Sequence, residues 1–135
     1  MAAQVEIYDY VDAFHPRRIN RISAWMDDIG KRPKARLVGY FHNLEDTPAD
    51  KWHTTMVAKK LTGQPDLWEI KAFVDGIQWR VIGFFGTGAG EFTLLVGCLK
   101  KGQKLDPPST LDRAQDRKIN VQGNPMIWRV SHDYS

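Results

Sequence analysis

The stretch from Leu67 to Lys104 constrains the fold more strongly than any other part of the sequence, because it predicts three consecutive strands joined by two turns. Asp75-Gly76 is typical of a two-residue hairpin loop, since a type I′ turn needs positive φ angles and glycine tolerates them. The glycine-rich segment Gly86–Gly90 supplies the second turn. We therefore predict an antiparallel meander whose first loop fixes the pairing of the first two strands.

Counting outward from this loop assigns each residue to a face of the sheet, because side chains alternate along a strand. The first face is almost entirely apolar and should pack on helices. It pairs Val74 with Ile77, Ala72 with Trp79, Ile70 with Val81, and Trp68 with Gly83. The second face is more polar. It pairs Phe73 with Gln78, Lys71 with Arg80, and Glu69 with Ile82.

Lys71 and Arg80 form the informative pair, because like charges directly opposite each other destabilise a sheet. A bound anion between them would relieve the repulsion, and arginine offers a planar fork for phosphate. The alternative is a solvated outer face, on which both side chains extend into water. Three more lysines follow the third strand and favour an anion site: Lys100, Lys101 and Lys104.

The remaining segments predict one further strand and three or four helices. Residues 5–11 alternate in the manner of a strand, and residues 19–29 carry apolar side chains at helical spacing in a helix that Pro16 opens. A second helix is expected at about residues 33–43, a short one after it, and a last one at about residues 107–119. The sequence does not determine which strand residues 5–11 join.

This order of elements predicts an α+β fold, with a small, antiparallel-dominated four-stranded sheet, N-terminal helices packed on one face, and a C-terminal helix. A chain of 135 residues without repeats or long linkers is expected to form one domain, residues 1–135. Such an arrangement leaves the second face, with Lys71 and Arg80, partly open.

The composition narrows the class of protein. With 42% hydrophobic and 26% charged residues, the chain is ordinary for a globular domain. It shows no apolar run of membrane-spanning length and no signal-peptide pattern, so we expect a cytoplasmic protein without membrane contact. The basic surplus behind the net charge of +3 lies in the half with the strands, which suits a phosphate-rich partner. Cys98, the only cysteine, is expected to be a small core residue.

The motifs that usually hold metals or cofactors are missing from the sequence. Gly86–Gly90 lacks the Gly-Lys-Ser/Thr of a phosphate-binding loop. The four histidines are scattered, without metal-ligand spacing or a cysteine partner. We therefore expect neither a metal site nor a cofactor.

The order of several short motifs resembles a known family. Leu61 and Gly63 precede the strand LWEIK, the aromatic-arginine strand WRVIGFF follows, and a Leu-Leu strand ends in KKGQK and a proline. A helix with the sequence LDRAQDRK closes the run. Over roughly residues 58–119, the chain resembles the phage-derived Gp49-like, HigB-type branch of the RelE/ParE toxin superfamily.

The resemblance implies the toxin of a type II toxin–antitoxin system, with a cognate helix-turn-helix antitoxin as its partner. It also implies a metal-independent endoribonuclease that cleaves mRNA on the ribosome and so inhibits translation. In such a reaction the 2′-hydroxyl of the RNA attacks the adjacent phosphate. The protein must orient the backbone, stabilise charge on the phosphoryl oxygens and move protons.

Matching the motifs residue by residue implies a site built from basic side chains. Lys71, Arg80 and Lys101 take catalytic positions, where they would stabilise the charge of the transition state. The remaining cations near the motifs would bind RNA phosphates. They are Lys59, Lys60, Lys100, Lys104 and Arg117.

Val96 departs from the family pattern, because many relatives carry histidine at this position. Proton transfer then lacks an obvious group. The candidates are Glu69, His132 and Tyr134, although Glu69 is better explained as a partner that neutralises Lys71. Restoring the imidazole with Val96→His is expected to raise cleavage.

Two other functions stay open at this point. The chain could act without catalysis on a protein target such as gyrase, as ParE-type relatives do. It could also be a phage-derived RNA-binding module that has lost cleavage. RNA fragments with cyclic phosphate ends would distinguish the ribonuclease from the inhibitor of a protein target. A neighbouring gene for a small helix-turn-helix protein would support either toxin function against the RNA-binding module.

Overall fold

The computed structural model describes residues 4–134, so residues 1–3 and 135 of the predicted single domain lie outside the described residues. Residues 4–134 form an α+β fold with eight strands and five helices. The strands are β1 Glu6–Asp12, β2 Ile19–Asn20, β3 Ala58–Lys60, β4 Trp68–Val74, β5 Ile77–Phe85, β6 Glu91–Lys101, β7 Lys104–Asp106 and β8 Arg129–Ser131. The helices are α1 Arg21–Asp28, α2 Lys31–Glu45, a 3₁₀ helix Ala49–Thr54, α3 Thr110–Gly123 and α4 Pro125–Trp128.

All strands belong to one mixed sheet in the order β2-β1-β6-β5-β4-β3, with β7 paired to β6 and β8 paired to β1. The sequence did not determine the partner of the first strand. In the structure β1 runs parallel to β6 and pairs Glu6 with Glu91. The four predicted strands are present as β1, β4, β5 and β6. The predicted total of four is too small, because β2, β3, β7 and β8 are segments of two or three residues, too short to show a pattern.

The hairpin between β4 and β5 has the predicted register throughout. Asp75 and Gly76 adopt φ angles of 54° and 78°, as a type I′ loop requires. Lys71 lies opposite Arg80, and Ile70 lies opposite Val81. The assignment of residues to the two faces therefore holds.

Helices cover both faces of the sheet. On the first face, Ile70 and Val81 pack with α1, α2 and the 3₁₀ helix, as the apolar pattern predicted. On the second face, α3 lays Ala114 and Val121 over Ile82, where the sequence suggested a partly open surface. The correction has a simple cause, since the apolar positions of α3 recur at helical spacing and must be buried against something.

The helix ends differ from the predicted ones where side chains cap them. α1 begins at Arg21 rather than near Pro16, because the Asn20 side chain accepts hydrogen bonds from the backbone N–H groups of Ile22 and Ser23 at 3.0 and 2.9 Å. The last helix continues to Gly123 instead of ending at about Ile119. None of the helices in residues 4–134 is long and apolar enough to cross a membrane.

Candidate nucleic-acid interface

Strand pairing brings polar side chains into two neighbouring rows on the second face. One row crosses the sheet from Lys71 through Arg80 to Cys98. The next row, nearer the hairpin loop, runs from Phe73 through Gln78 to Lys100. We call five of these residues the basic strip: Lys71, Phe73, Gln78, Arg80 and Lys100.

A cleft of about 340 Å³, here called the central cleft, opens over Lys71 and Arg80. Among its described lining residues there is no carboxylate. Phe73 lines the cleft with 63% of its surface exposed, and Met56 with 83%. The cleft therefore presents cations beside an exposed aromatic ring.

Arg80 lines this cleft with only 6% of its surface exposed, and hydrogen bonds hold its guanidinium in place. Its Nη1 donates to the carbonyl of Trp79 at 3.0 Å, and its Nη2 donates to Oε1 of Gln78 at 2.9 Å. These bonds use two of the five N–H donors of a guanidinium, and the Nε–H is buried beside Glu69. The donors that remain for a ligand are therefore the second N–H groups of Nη1 and Nη2. A cation fixed in this way needs little further ordering when an anion arrives.

Glu69 forms an ion pair with Arg80, whereas the sequence suggested Lys71 as its partner. The Glu69 carboxylate, in a residue 4% exposed, lies 3.6 Å from Nε of Arg80. It lies on the second face, where Lys59 and Ile82 are its cross-strand neighbours. The carboxylate balances the buried guanidinium, so a role as a free base for RNA is not supported by its position.

Lys100 and Lys101 cannot both belong to the basic strip, because successive residues of a strand point to opposite faces. Lys100 lies opposite Gln78, whereas Lys101 lies opposite Lys104 and pairs with Asp106 at 3.2 Å. Lys101, for which the resemblance implied a catalytic role, therefore points to the face opposite Arg80. Both lysines line a second cleft of about 420 Å³, the strand-end cleft, which shares Gln78 with the central cleft.

The other predicted RNA-binding cations are not grouped with the basic strip. Lys59 and Lys60 are exposed on β3, and only Lys59 lies on the face of Arg80. Arg117 donates to the carbonyl of Leu95 at 2.8 Å and stacks 4.9 Å above the ring of Tyr10. Burial lowers the pKa of Arg117 to about 10. Arg117 thus fastens α3 to the sheet and is not available to phosphate.

His132 and Tyr134 lie across the sheet from Arg80, so neither can transfer a proton in the central cleft. Nδ1 of His132 is 2.7 Å from Oδ1 of Asp9, a residue of β1 on the first face. The Tyr134 hydroxyl donates to the Glu45 carboxylate, and burial together with this carboxylate raises the pKa of Tyr134. Their shared role is to hold the C-terminal segment against α2.

Val96 and Cys98 lie on the second face with α3 packed above them, exposed by 5% and 3%. Burial raises the pKa of the Cys98 thiol to about 12, so the thiol stays protonated near neutral pH. This agrees with the expected core role of Cys98. An imidazole at position 96 would likewise be enclosed by apolar side chains instead of facing RNA.

We therefore reverse the expectation for Val96→His. The variant should lower the free energy of unfolding by about 1–3 kcal/mol, because the buried ring nitrogens find no partner under α3. Cleavage should not rise. Urea unfolding compared with the size-matched Val96→Leu variant, with a cleavage assay on both proteins, checks this. A stable and more active Val96→His protein would show that α3 leaves this position open.

Sequence reasoning missed the groups that complete the site. Gln78 holds Arg80, and Phe73 offers a ring to solvent, yet neither was singled out. The signal for both was present, because the hairpin count placed them on the polar face. Tyr40 of α2, which also lines the central cleft, could not be found without the tertiary packing.

Comparison of the chain with protein-family models, with curated proteins and with solved structures gave no significant match. Within residues 4–134, no group of three histidine, cysteine, aspartate or glutamate side chains is arranged to hold a metal ion. The interpretation of the basic strip therefore depends on its own geometry and on the motifs of the sequence.

Proposed function

We propose that this protein is the toxin of a type II toxin–antitoxin pair, which binds mRNA in the central cleft and cleaves it on the ribosome. One observation carries the proposal. Lys71 and Arg80 stand side by side in an open cleft without lining carboxylates, next to the exposed ring of Phe73. Cations for phosphates beside an aromatic ring for a base are the usual elements of single-stranded RNA binding.

The geometry suggests different roles for Arg80, Lys71 and Phe73 in the reaction. Arg80, fixed by Gln78 and Glu69, would stabilise charge on the phosphoryl oxygens with preorganised donors. Lys71, which is half-buried, would supply a more adaptable point charge. A base stacked on Phe73 would place the neighbouring phosphate over the two cations. In this way the 2′-hydroxyl is brought into position for attack without a metal.

Proton transfer is the step for which the central cleft offers least. No imidazole and no carboxylate is among its described lining residues. Ribosomal groups would then supply the acid and base, which explains why cleavage would depend on the ribosome. The protein would contribute positioning and electrostatic stabilisation.

A second candidate, an RNA-binding module without cleavage, is favoured by the same arrangement. Glu69 already balances the charge of Arg80, and the described lining of the cleft lacks a proton-transfer group. Such a protein would bind RNA through the basic strip and leave it intact.

The deciding experiment adds purified protein to ribosomes programmed with mRNA and sequences the 5′ ends of the fragments. We expect cuts whose upstream fragments carry cyclic phosphates. Lys71→Gln should reduce cleavage by roughly 10²-fold, as for other lost donors to a developing oxyanion. The matched control is Lys60→Gln, which removes a lysine from the adjacent strand on the other face. RNA binding without fragments would support the module instead.

The proposed antitoxin would keep the toxin inactive by covering the basic strip. A helix-turn-helix protein encoded next to this chain should form a stable complex with it on co-expression and should block RNA binding. High-yield recovery of the harmless, uncomplexed wild-type protein would count against the toxin proposal.

A further inference from the structure

A third cleft, of about 470 Å³, lies between α2 and the end of β4. Arg32, Arg36 and Tyr40 from α2 and Val74 from β4 are among its lining residues. We call it the helix cleft. It shares Tyr40 with the central cleft, so the two meet at this ring.

The helix cleft, the central cleft and the strand-end cleft follow one another, because each shares a lining residue with the next, and we call this series the path. Tyr40 joins the first to the second, and Gln78 joins the second to the third. No carboxylate lines any of the three among the described residues. The cations along the path are Arg32, Arg36, Lys71, Arg80, Lys100 and Lys101. Arg32 pairs with Asp75, Lys101 with Asp106 and Arg80 with Glu69. Within residues 4–134, the path cations without an ion pair are Arg36, Lys71 and Lys100, and one of them in each cleft fits a polyanion.

The edge of β4 is open where the path crosses it. β3 pairs only with residues 68–70 of β4, and the last bond on this side runs from the Lys71 N–H to the carbonyl of Val57. Beyond that bond, Phe73 projects to solvent, with Tyr40 on the α2 side of the same cleft. Two aromatic rings therefore flank the crossing point.

From these observations we propose that a single RNA strand runs from the basic strip over the open edge of β4 onto α2. Its bases stack on Phe73 and Tyr40, and Arg36 contacts a phosphate beyond the crossing. Phe73 is exposed, whereas Tyr40 is half-buried and offers only part of its ring. Rings at a surface favour single-stranded nucleic acid, because stacked bases in a duplex cannot reach them. This inference rests on the proposed function in one respect only, namely that RNA is the ligand of the basic strip.

The test measures binding of a uridine dodecanucleotide and a uridine tetranucleotide to the full chain. Tyr40→Ala should weaken binding of the dodecanucleotide by roughly 5- to 150-fold, the effect of losing one stacking platform. Tyr40→Phe should restore it. The tetranucleotide, which the central cleft can hold alone, should bind Arg36→Gln and wild type alike, because Arg36 lines only the helix cleft. Urea unfolding shows whether the Tyr40 variants are folded.

Arg36→Gln tests the phosphate contact on α2. The slope of log affinity against log salt for the dodecanucleotide should become shallower by about 0.7, the value for one lost contact to a single strand. The matched control is Lys31→Gln, which removes an exposed cation from the same helix outside the path. A dodecanucleotide that lacks bases should bind Tyr40→Ala and wild type equally, because only stacking is removed.

The outcomes separate this inference from the proposed function. If Lys71→Gln loses RNA binding while Arg36→Gln and Tyr40→Ala bind the dodecanucleotide like wild type, the path over β4 is wrong and the basic strip stands. If all the predicted binding changes appear but mRNA stays intact, the path is right and the toxin proposal fails. A poly-glutamate chain of equal length that binds as well as the dodecanucleotide would overturn the path as an RNA surface.

Discussion

Replacing Arg80 with alanine is expected to lower mRNA cleavage by about 10²–10³-fold, the usual loss when one preorganised donor to a developing oxyanion is removed. The guanidinium is positioned by its bonds to Trp79 and Gln78, whereas Lys71, its neighbour in the row, supplies only a point charge. The measurement is the rate of cleavage of ribosome-bound mRNA by purified variants. Growth inhibition on induced expression should disappear with it.

The Arg80→Ala protein needs a control for stability, because the Arg80 side chain is buried and its removal can destabilise the fold. Removing one partner of a buried ion pair costs about 3–5 kcal/mol, since Glu69 would be left buried without compensation. The double variant Glu69→Leu/Arg80→Met removes both charges and should recover most of that loss. It should remain inactive. A double variant that unfolds like wild type in urea and still cuts mRNA would remove Arg80 from the site.

Trp52→Ala is expected to lower the free energy of unfolding by about 3–5 kcal/mol, the range for losing a large core side chain. Trp52 is fully buried, and its ring lies 4.7 Å from Phe85 and 4.7 Å from Phe92 between ring centres. Its Nε1 donates to the carbonyls of Leu44 and Thr47 at 3.1 and 3.0 Å. One side chain thus joins the 3₁₀ helix, the end of α2 and the sheet.

Two controls make this prediction specific. Trp52→Phe keeps an aromatic ring but loses the indole N–H, so its cost should be smaller than that of alanine. Met126→Ala changes a side chain that is 87% exposed and should stay within about 0.5 kcal/mol of wild type. Urea unfolding of the three variants gives the values. A loss below 1 kcal/mol for Trp52→Ala would contradict the packing described for this part of the core.

The hairpin could be predicted residue by residue because its information is local. Asp75-Gly76 determines the loop type, the loop type determines the register, and the register places Lys71 opposite Arg80. The same count assigned Ile70 and Val81 to a helix-covered face. Each of these steps needs only neighbouring residues in the chain.

What could not be predicted depends on contacts between distant segments. Nothing local in residues 5–11 identifies β6 as their parallel partner. The sequence offers both Lys71 and Arg80 as partners for Glu69, and only the folded structure shows that Glu69 pairs with Arg80. The resemblance treated Lys101 together with Lys100, whereas strand alternation places the two side chains on opposite faces. His132 was considered for proton transfer because the sequence pattern does not show that the C-terminal segment packs on the first face, where His132 contacts Asp9.

The first strand also determines when this chain can finish folding during its own synthesis. β1 is made early, but its partner on one side is β6, and on the other side Tyr8 pairs with Ser131 of β8. Pairings between such distant segments form slowly, because a long loop must close before they contribute stability. The nascent protein therefore cannot complete its sheet until Ser131 has emerged from the ribosome. If the proposed function is right, this delay protects the translating ribosome from the chain that it is making.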